Sequence, residues 1–169
     1  MGLLEIRLLG DPILRKRAAA AGAIDDELRR LVEEMFETMY AAEGIGLAAP
    51  QVGVSKRVFL VDVREPDVEA LAVIDPVIVK SSGSDHGEEG CLSLPGISEI
   101  VERAANVVLQ GRDPDGKAIR VDASGLLARV IQHEIDHLDG ILFIDRLSPL
   151  KRKILLKKYE KLQQEGAAR

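Results

Sequence analysis

The run His133-Glu134-Ile135-Asp136-His137 has the residue types and the spacing of a metal-binding helix. In a helix, His133 and His137 lie one turn apart on the same face, about 5–6 Å apart at Cβ, so both imidazoles can bind one ion. A bound metal lowers the pKa of water from about 15.7 toward 7, so a metal-bound water or hydroxide can act as the nucleophile. Glu134 can then act as general acid/base on it. The simpler interpretation is a pair of core histidines with ordinary hydrogen bonds. The motif in a helical context favours the metal site.

A catalytic metal site of this kind has three protein ligands and one open position, so a third ligand is needed. One protease pattern places a histidine at the position of Phe143, which cannot bind a metal. Another pattern uses a downstream glutamate, but Glu160 and Glu165 lie in a lysine-rich segment that is expected to be an exposed helix. Cys91 remains, because the glycine before it and the Pro-Gly pair after it can turn the backbone and present a thiolate. The alternative for Cys91 is a small buried hydrophobic residue.

The remaining histidine, His86, lies five residues before Cys91 in a segment rich in serine and glycine. A structural metal site would be closed by four protein ligands, and His86 is the candidate for the fourth. Because this segment is expected to be a flexible loop, we favour a three-ligand catalytic site. A non-enzymatic module with a structural metal and an endopeptidase that uses the same helical motif are the two alternatives.

The helical motif falls within the second of three predicted helices. Apolar residues at helical spacing predict the first helix from Asp25 to Ala42. The second helix begins after Ser124 and runs to about Asp139, with Gly140 as its C-terminal cap. The third begins at Ser148-Pro149, a suitable N-cap and first-turn pair.

Strands are predicted where Val, Ile and Phe cluster between Pro, Gly and Ser, over Arg57–Val63 and Ala72–Val79. Asn106–Gln110 and Lys117–Val121 flank an Asp-Pro-Asp-Gly turn and predict a β-hairpin. The element order predicts one α+β domain over residues 1–169. In it, antiparallel sheets pack around the central metal-binding helix, with a helix at the C-terminus.

The composition is that of a globular domain, with 46% hydrophobic and 30% charged residues. A net charge of −5 argues against a general DNA or nucleic-acid binder, which needs a surplus of Lys and Arg. The apolar runs are shorter than the ~20 residues of a membrane span. Glu5 and Arg7 interrupt the apolar positions of the N-terminal segment, so it lacks the apolar core of a signal peptide. We therefore expect a cytoplasmic protein without membrane contact.

Three segments in order resemble the peptide deformylase family. They are Gly44-Ile45-Gly46-Leu47-Ala48-Ala49-Pro50-Gln51-Val52-Gly53, Glu89-Gly90-Cys91-Leu92-Ser93 and Gln132-His133-Glu134-Ile135-Asp136-His137-Leu138-Asp139-Gly140. The opening Gly10-Asp11-Pro12-Ile13-Leu14-Arg15 is similar as well, so the resemblance covers nearly the whole chain. Taken alone, the first segment would be an ordinary glycine-rich loop.

The resemblance implies removal of the formyl group from the formyl-methionine of nascent polypeptides, with release of formate. It implies that Cys91, His133 and His137 bind ferrous iron (Fe2+), for which Zn2+, Ni2+ or Co2+ can substitute. Glu134 matches the family's catalytic acid/base.

Other residues match groups that bind the substrate. Gln51 and the backbone N–H of Leu92 match donors to the formyl oxygen, which stabilise the oxyanion formed on attack. Gly46 matches a residue that contacts the peptide backbone, and it lies in the segment expected to bind substrate: Gly44, Ile45 and Gly46. Ser98 stands where some members carry an arginine near the bound peptide.

The C-terminal helix is expected to be amphipathic from Pro149 to Gln164. Its predicted apolar side contains Leu150, Ile154, Leu155, Tyr159 and Leu162. Its predicted basic side contains Lys151, Arg152, Lys153, Lys157, Lys158 and Lys161. A basic face is usually only solvated, but the resemblance implies that such a helix can contact the ribosome. The alanine run 18–21 is expected to lie on the surface.

Overall fold

The structure is a computed structural model that describes residues 2–167. In chain order its main elements are α1 (Asp26–Ala41), β1 (Gly46–Ala48), β2 (Val58–Val61), β3 (Leu71–Ser82), β4 (Asp85–Gly90), β5 (Ser98–Arg103), β6 (Asn106–Arg112), β7 (Ala118–Ser124), α2 (Gly125–Leu138) and α3 (Pro149–Ala167). Three short 3-10 helices cover Pro12–Arg15, Ala49–Val52 and Phe143–Arg146.

Five strands form one antiparallel sheet in the order β1-β2-β3-β6-β7, and β4 pairs with β5 in a second antiparallel sheet. Helix α2 packs against β1, β2 and β7 of the larger sheet. Its apolar side chains, among them Ala128 and Ile131, join Phe59 and Leu109 of the sheet in one buried cluster. The predicted α+β class, with antiparallel sheets around α2 and a C-terminal helix, is confirmed.

Helix α2 has defined ends that fix where its histidines lie. Ser124 is the N-cap residue in extended conformation, as predicted. Gly140 has a φ of +75°, and a Cβ there would lie 2.5 Å from the Arg15 carbonyl oxygen, so glycine is needed to end the helix. His133, Glu134 and His137 are all buried between these ends.

The other predicted elements are present. Helix α1 begins after Asp25, whose side chain accepts a hydrogen bond from Leu28 N at 2.9 Å.

Strands β1, β4 and β5 were not predicted from the sequence. Strand β1 has three residues, and β4 consists of Asp, His, Gly and Glu, which have low strand propensity. The surface position predicted for the alanine run is wrong for Ala18 and Ala21, which are buried.

Helix α3 buries a narrower face than its sequence predicts. Leu155 and Tyr159 are buried against Leu14 and Phe143, whereas Leu150 and Ile154 are exposed by 68% and 58%. The predicted apolar side is therefore wrong for its first turns. None of the described helices is long and apolar enough to cross a membrane.

Candidate metal centre and substrate pocket

Three ligand atoms converge at one point between α2 and the segment that follows β4. His133 Nε2 and His137 Nε2 are 3.2 Å apart, and Cys91 Sγ lies 3.3 Å from His137 Nε2. The candidate ligand atoms of Cys91, His133 and His137 all lie within 4.8 Å of one another. Two imidazoles and a thiol at these distances can surround one divalent cation with a fourth position left open.

All predicted site residues except His137 line one cavity of about 600 Å³ beside this cluster. Its lining includes Gly44, Ile45, Gly46, Gln51, Cys91, Leu92, His133 and Glu134. Gly44 and Gly46 let the backbone on their side of the cavity lie close to the side chains of Leu92 and Glu134. A Cβ at Gly46 would lie 2.5 Å from Glu134 Oε2, and a Cβ at Gly44 would lie 2.8 Å from Leu92 Cδ1. Both close approaches explain why this segment is rich in glycine.

Gln51 is buried, and its amide group is held on both sides. Its Oε1 accepts a hydrogen bond from Ala48 N at 2.9 Å, and its Nε2 donates to Ser93 Oγ at 3.0 Å. The same Nε2 lies 3.6 Å from Cys91 Sγ. The amide N–H group of Gln51 is thus directed toward the candidate metal ligands.

Glu134 is buried, and its Oε1 has no hydrogen-bond partner among residues 2–167. Burial raises the pKa of this carboxyl group to about 7, against the lowering effect of the charges on His133 and Arg103. A group with such a pKa can exchange a proton near neutral pH.

Glu89 is the other buried carboxyl group that borders the cluster, and the sequence analysis assigned it no role. Its Oε1 lies 2.9 Å from His133 Nδ1. Arg103 donates to both of its oxygens, at 2.7 and 2.8 Å, and Arg129 Nη1 donates to Oε2 at 2.7 Å. Burial raises the pKa of Glu89, but the hydrogen bonds from Arg103 and His133 outweigh it and lower the pKa to about 2. Glu89 is therefore ionised and orients the His133 ring.

Asp136 extends this ionic network along α2. It accepts from Arg103 Nη1 at 2.7 Å and from Arg146 Nη2 at 2.7 Å. Because each buried charge has an opposite partner, the network can exist without water. No local sequence pattern identifies this network, because Glu89 and Arg103 lie on the polar strands β4 and β5. Its buried members are Glu89, Arg103, Arg129 and Asp136.

The two histidines differ in their preference for a proton. Burial lowers the pKa of His133, but hydrogen bonds with Cys91 and Glu89 reverse this and leave it raised well above its usual value. Burial and the charge of His133 lower the pKa of His137 well below its usual value.

The alternative ligands lie elsewhere. His86 is on β4 rather than in a loop, and its Nε2 pairs with Glu102 Oε2 at 3.0 Å on the exposed surface. Phe143 packs against the His133 ring with their centroids 6.3 Å apart. Glu160 is exposed on α3. None of the three belongs to the cluster formed by Cys91, His133 and His137 among the described residues.

Comparison with known proteins agrees with this arrangement. Residues 3–153 match the family model described as polypeptide deformylase. The chain is 50% identical over 162 residues to the peptide deformylase of Thermodesulfovibrio yellowstonii, covering 95% of this chain and 98% of that protein. It is 48% identical over 167 residues to the peptide deformylase of Alkalilimnicola ehrlichii, covering 98% and 94%.

Solved structures show the same fold. A crystal structure of a peptide deformylase from Legionella pneumophila superposes with a TM-score of 0.94 at 43% identity, covering 99% of both chains. A peptide deformylase from Synechococcus elongatus in complex with actinonin gives a TM-score of 0.87 at 44% identity, covering 92% of this chain and 86% of that one. The chain belongs to the polypeptide deformylase family, and the prediction of a hydrolase of this kind is confirmed.

Proposed function

We propose that this protein removes the N-formyl group from the formyl-methionine of newly made polypeptides and that it does so with a bound divalent metal. The observation that carries this proposal is the cluster of Cys91, His133 and His137 at the wall of a cavity that also contains Glu134. Supporting evidence comes from the family relationship.

The residues fit a metal ion. Two imidazole nitrogens and a thiol sulfur converge, and Glu134 Oε1 is buried with no hydrogen-bond partner among the described residues. We propose Cys91, His133 and His137 as the ligands and Fe2+ as the native ion, with Zn2+, Ni2+ or Co2+ as substitutes, because thiolate and imidazole together suit such metals. When bound, the ion supplies Lewis acidity that makes water a nucleophile near neutral pH.

Glu134 is proposed as the general acid/base. A carboxyl group with a pKa of about 7 can take a proton from the attacking water and pass it to the leaving nitrogen of methionine. The amine must be protonated to leave as the amide bond breaks, and formate is the other product. Burial of Glu134 keeps bulk water from competing for this proton.

Gln51 and the backbone N–H of Leu92 are proposed as donors to the oxyanion. The amide of Gln51 is fixed by Ala48 and Ser93, so it needs no reorganisation when the charge develops. Leu92 follows the candidate ligand Cys91 directly and lines the same cavity. Fixed donors lower the barrier more than mobile ones.

Gly44, Ile45 and Gly46 are proposed to bind the peptide backbone of the substrate. Strand β1 is at the edge of the five-stranded sheet. Asp62 N, just after β2, donates a hydrogen bond to Ile45 O. Because backbone groups in an antiparallel pair point alternately toward and away from the partner strand, the N–H and C=O of Gly46 point away from β2, toward the open edge of the sheet. An extended peptide can add there as a further strand.

The basic part of α3 is proposed as a ribosome contact, and the protein is proposed to act in the cytoplasm where nascent chains emerge. Exposed Leu150 and Ile154 lie among exposed lysines, so this surface offers both charge and apolar contact to ribosomal RNA and protein.

Removal of residues 151–169 should abolish salt-sensitive sedimentation with ribosomes. Full-length protein that never sediments with ribosomes at low salt would contradict the contact.

A pair of variants tests the central proposal. Cys91→Ala should lose both bound metal and formate release from formyl-Met-Ala, because a ligand is removed. Glu160→Ala should lose neither, because Glu160 is exposed on α3. Metal content by elemental analysis and formate release, both on anaerobically purified protein, decide the matter. The reverse pattern would contradict the proposed ligand set.

A further inference from the structure

Tyr40, Asp62 and Arg64 form a connected group next to the cavity, which we call the Tyr40 cluster. Tyr40 Oη donates to Asp62 Oδ2 at 2.5 Å, and Arg64 N donates to Asp62 Oδ1 at 2.9 Å. The Arg64 guanidinium carbon lies 5.7 Å from the centre of the Tyr40 ring, within cation–π range. The three side chains therefore hold one another in a single arrangement.

The Tyr40 cluster binds two consecutive carbonyl groups of the cavity wall. Arg64 Nη2 donates to Gly44 O at 3.0 Å. The backbone N–H of Asp62 donates to Ile45 O at 2.8 Å. The residue that follows these two carbonyl groups is Gly46, where β1 begins. The cluster thus ties the start of β1 to the end of β2 and to α1.

The backbone is held in an uncommon conformation at both ends of this contact. Glu43, which precedes Gly44, and Arg64 each have a φ of +58°. Residues other than glycine adopt this left-handed conformation rarely, and they keep it where surrounding contacts hold it. The conformation of Arg64 lets its side chain reach both the Tyr40 ring and the Gly44 carbonyl group.

We propose that Arg64, supported by Asp62 and Tyr40, is a positioning residue that fixes the substrate-binding strand. The inference rests on the proposed deformylase function. Gly46 lies close to Glu134: a Cβ added at Gly46 would be only 2.5 Å from Glu134 Oε2. A small displacement of this strand therefore changes the width of the cavity. Because the strand binds the peptide backbone before and during reaction, loss of its positioning raises KM more than it lowers kcat.

Kinetics of Arg64→Ala, with Arg30→Ala as the matched control, test the proposal. Arg30 is an exposed arginine on α1, outside the catalytic site. With formyl-Met-Ala-Ser, Arg64→Ala should raise KM about three- to tenfold, the effect of one lost hydrogen bond. The rise should be smaller with formyl-Met alone, which has little backbone to pair with β1. Arg64→Lys, which can still donate to Gly44 O, should restore part of the affinity.

Amide hydrogen exchange measured on the metal-loaded proteins provides a second test that is independent of turnover. Exchange at Leu47, which pairs with Leu60 of β2, and at Ala48, whose N–H donates to Gln51 Oε1, should be faster in Arg64→Ala than in Arg30→Ala. Unchanged KM together with unchanged exchange would overturn the inference. An equal loss on both substrates, with a lower melting temperature, would also overturn it, because that is the effect of general destabilisation. If the wild-type protein releases no formate from any formyl peptide, the proposed function fails, and the exchange data still decide whether Arg64 fixes the strand.

Discussion

Glu89 and Glu134 are both buried glutamates beside His133, and their surroundings set them apart. Glu89 receives hydrogen bonds from Arg103 and Arg129, and its pKa is lowered to about 2. Glu134 has an oxygen without a hydrogen-bond partner in the described part of the chain, and burial raises its pKa to about 7. The two arginines make the first a permanent anion, whereas burial outweighs the charges of His133 and Arg103 at the second and leaves it able to exchange a proton. The same side chain therefore serves structure in one place and chemistry in the other.

Replacing Glu134 should give the largest effect on activity. Glu134→Gln keeps the size of the side chain but cannot carry a proton to or from the substrate, so kcat should fall roughly 10²–10⁴-fold. Metal content should stay unchanged, because Glu134 is not among the clustered ligand atoms. Steady-state formate release and elemental analysis on the same sample measure both quantities. Near-normal turnover in this variant would remove Glu134 from the acid/base role.

Gln51→Ala should give the next largest effect, because its amide is proposed to bind charge that develops only during reaction. Loss of one such donor costs about 10²–10³ in kcat. KM should change less than kcat. Kinetics with formyl-Met-Ala over a range of concentrations separate the two constants. A change confined to KM would mean that Gln51 only holds the substrate.

Replacing Glu89 should affect metal binding rather than the proton transfer. Glu89→Gln weakens the acceptor for His133 Nδ1, and loss of such a partner typically lowers metal affinity about 10–100-fold. It also leaves Arg103 and Arg129 short of a buried anion, which should cost about 3–5 kcal/mol of stability. Competition with a chelator and urea unfolding measure these effects. Excess metal should restore kcat.

Glu102→Gln is the matched control for Glu89→Gln. Glu102 lies on β5 with its side chain 65% exposed and pairs with His86 at the surface. Its replacement should change neither metal affinity nor stability by more than the small effect of an exposed pair. Equal losses in the two variants would show that the buried network has no special role in metal binding.

Only one of these two glutamates has a role that can be predicted from the sequence. Glu134 lies in a five-residue motif whose helical spacing is a local property, so its position followed from the sequence. Glu89 acts through Arg103, Arg129 and Asp136, which come together only when the β4-β5 sheet packs on α2. Contacts between residues 14 to 40 positions apart have no local signal.

The fold shows the same division between local and tertiary information. Helices α1 and α2 and the β6-β7 hairpin have strong periodicity, caps or a turn, and they were predicted close to their bounds. Strands β1, β4 and β5 are short or polar and exist because neighbouring strands pair with them. The exposure of Leu150 and Ile154 depends on how α3 docks, which helical periodicity does not specify. The single domain over residues 1–169 stays a prediction.

The smallest expected effect is at Asp145, which pairs with Arg15 and offers a surface counterpart to the buried network. Burial raises the pKa of Asp145, but hydrogen bonds from Arg15 and from Leu142 N outweigh it, so its pKa is lowered. A lowered pKa in the folded state means that the pair stabilises the fold above the unfolded pKa of about 3.9 and that this contribution is lost as the pH falls below it. Asp145→Asn should therefore reduce the free energy of unfolding by about 0.2–1 kcal/mol, since both side chains are partly exposed. In urea unfolding, the difference from wild type should stay constant from roughly pH 8 to 5 and shrink only below about pH 4. A difference that disappears already between these higher values would assign the stabilisation to another group.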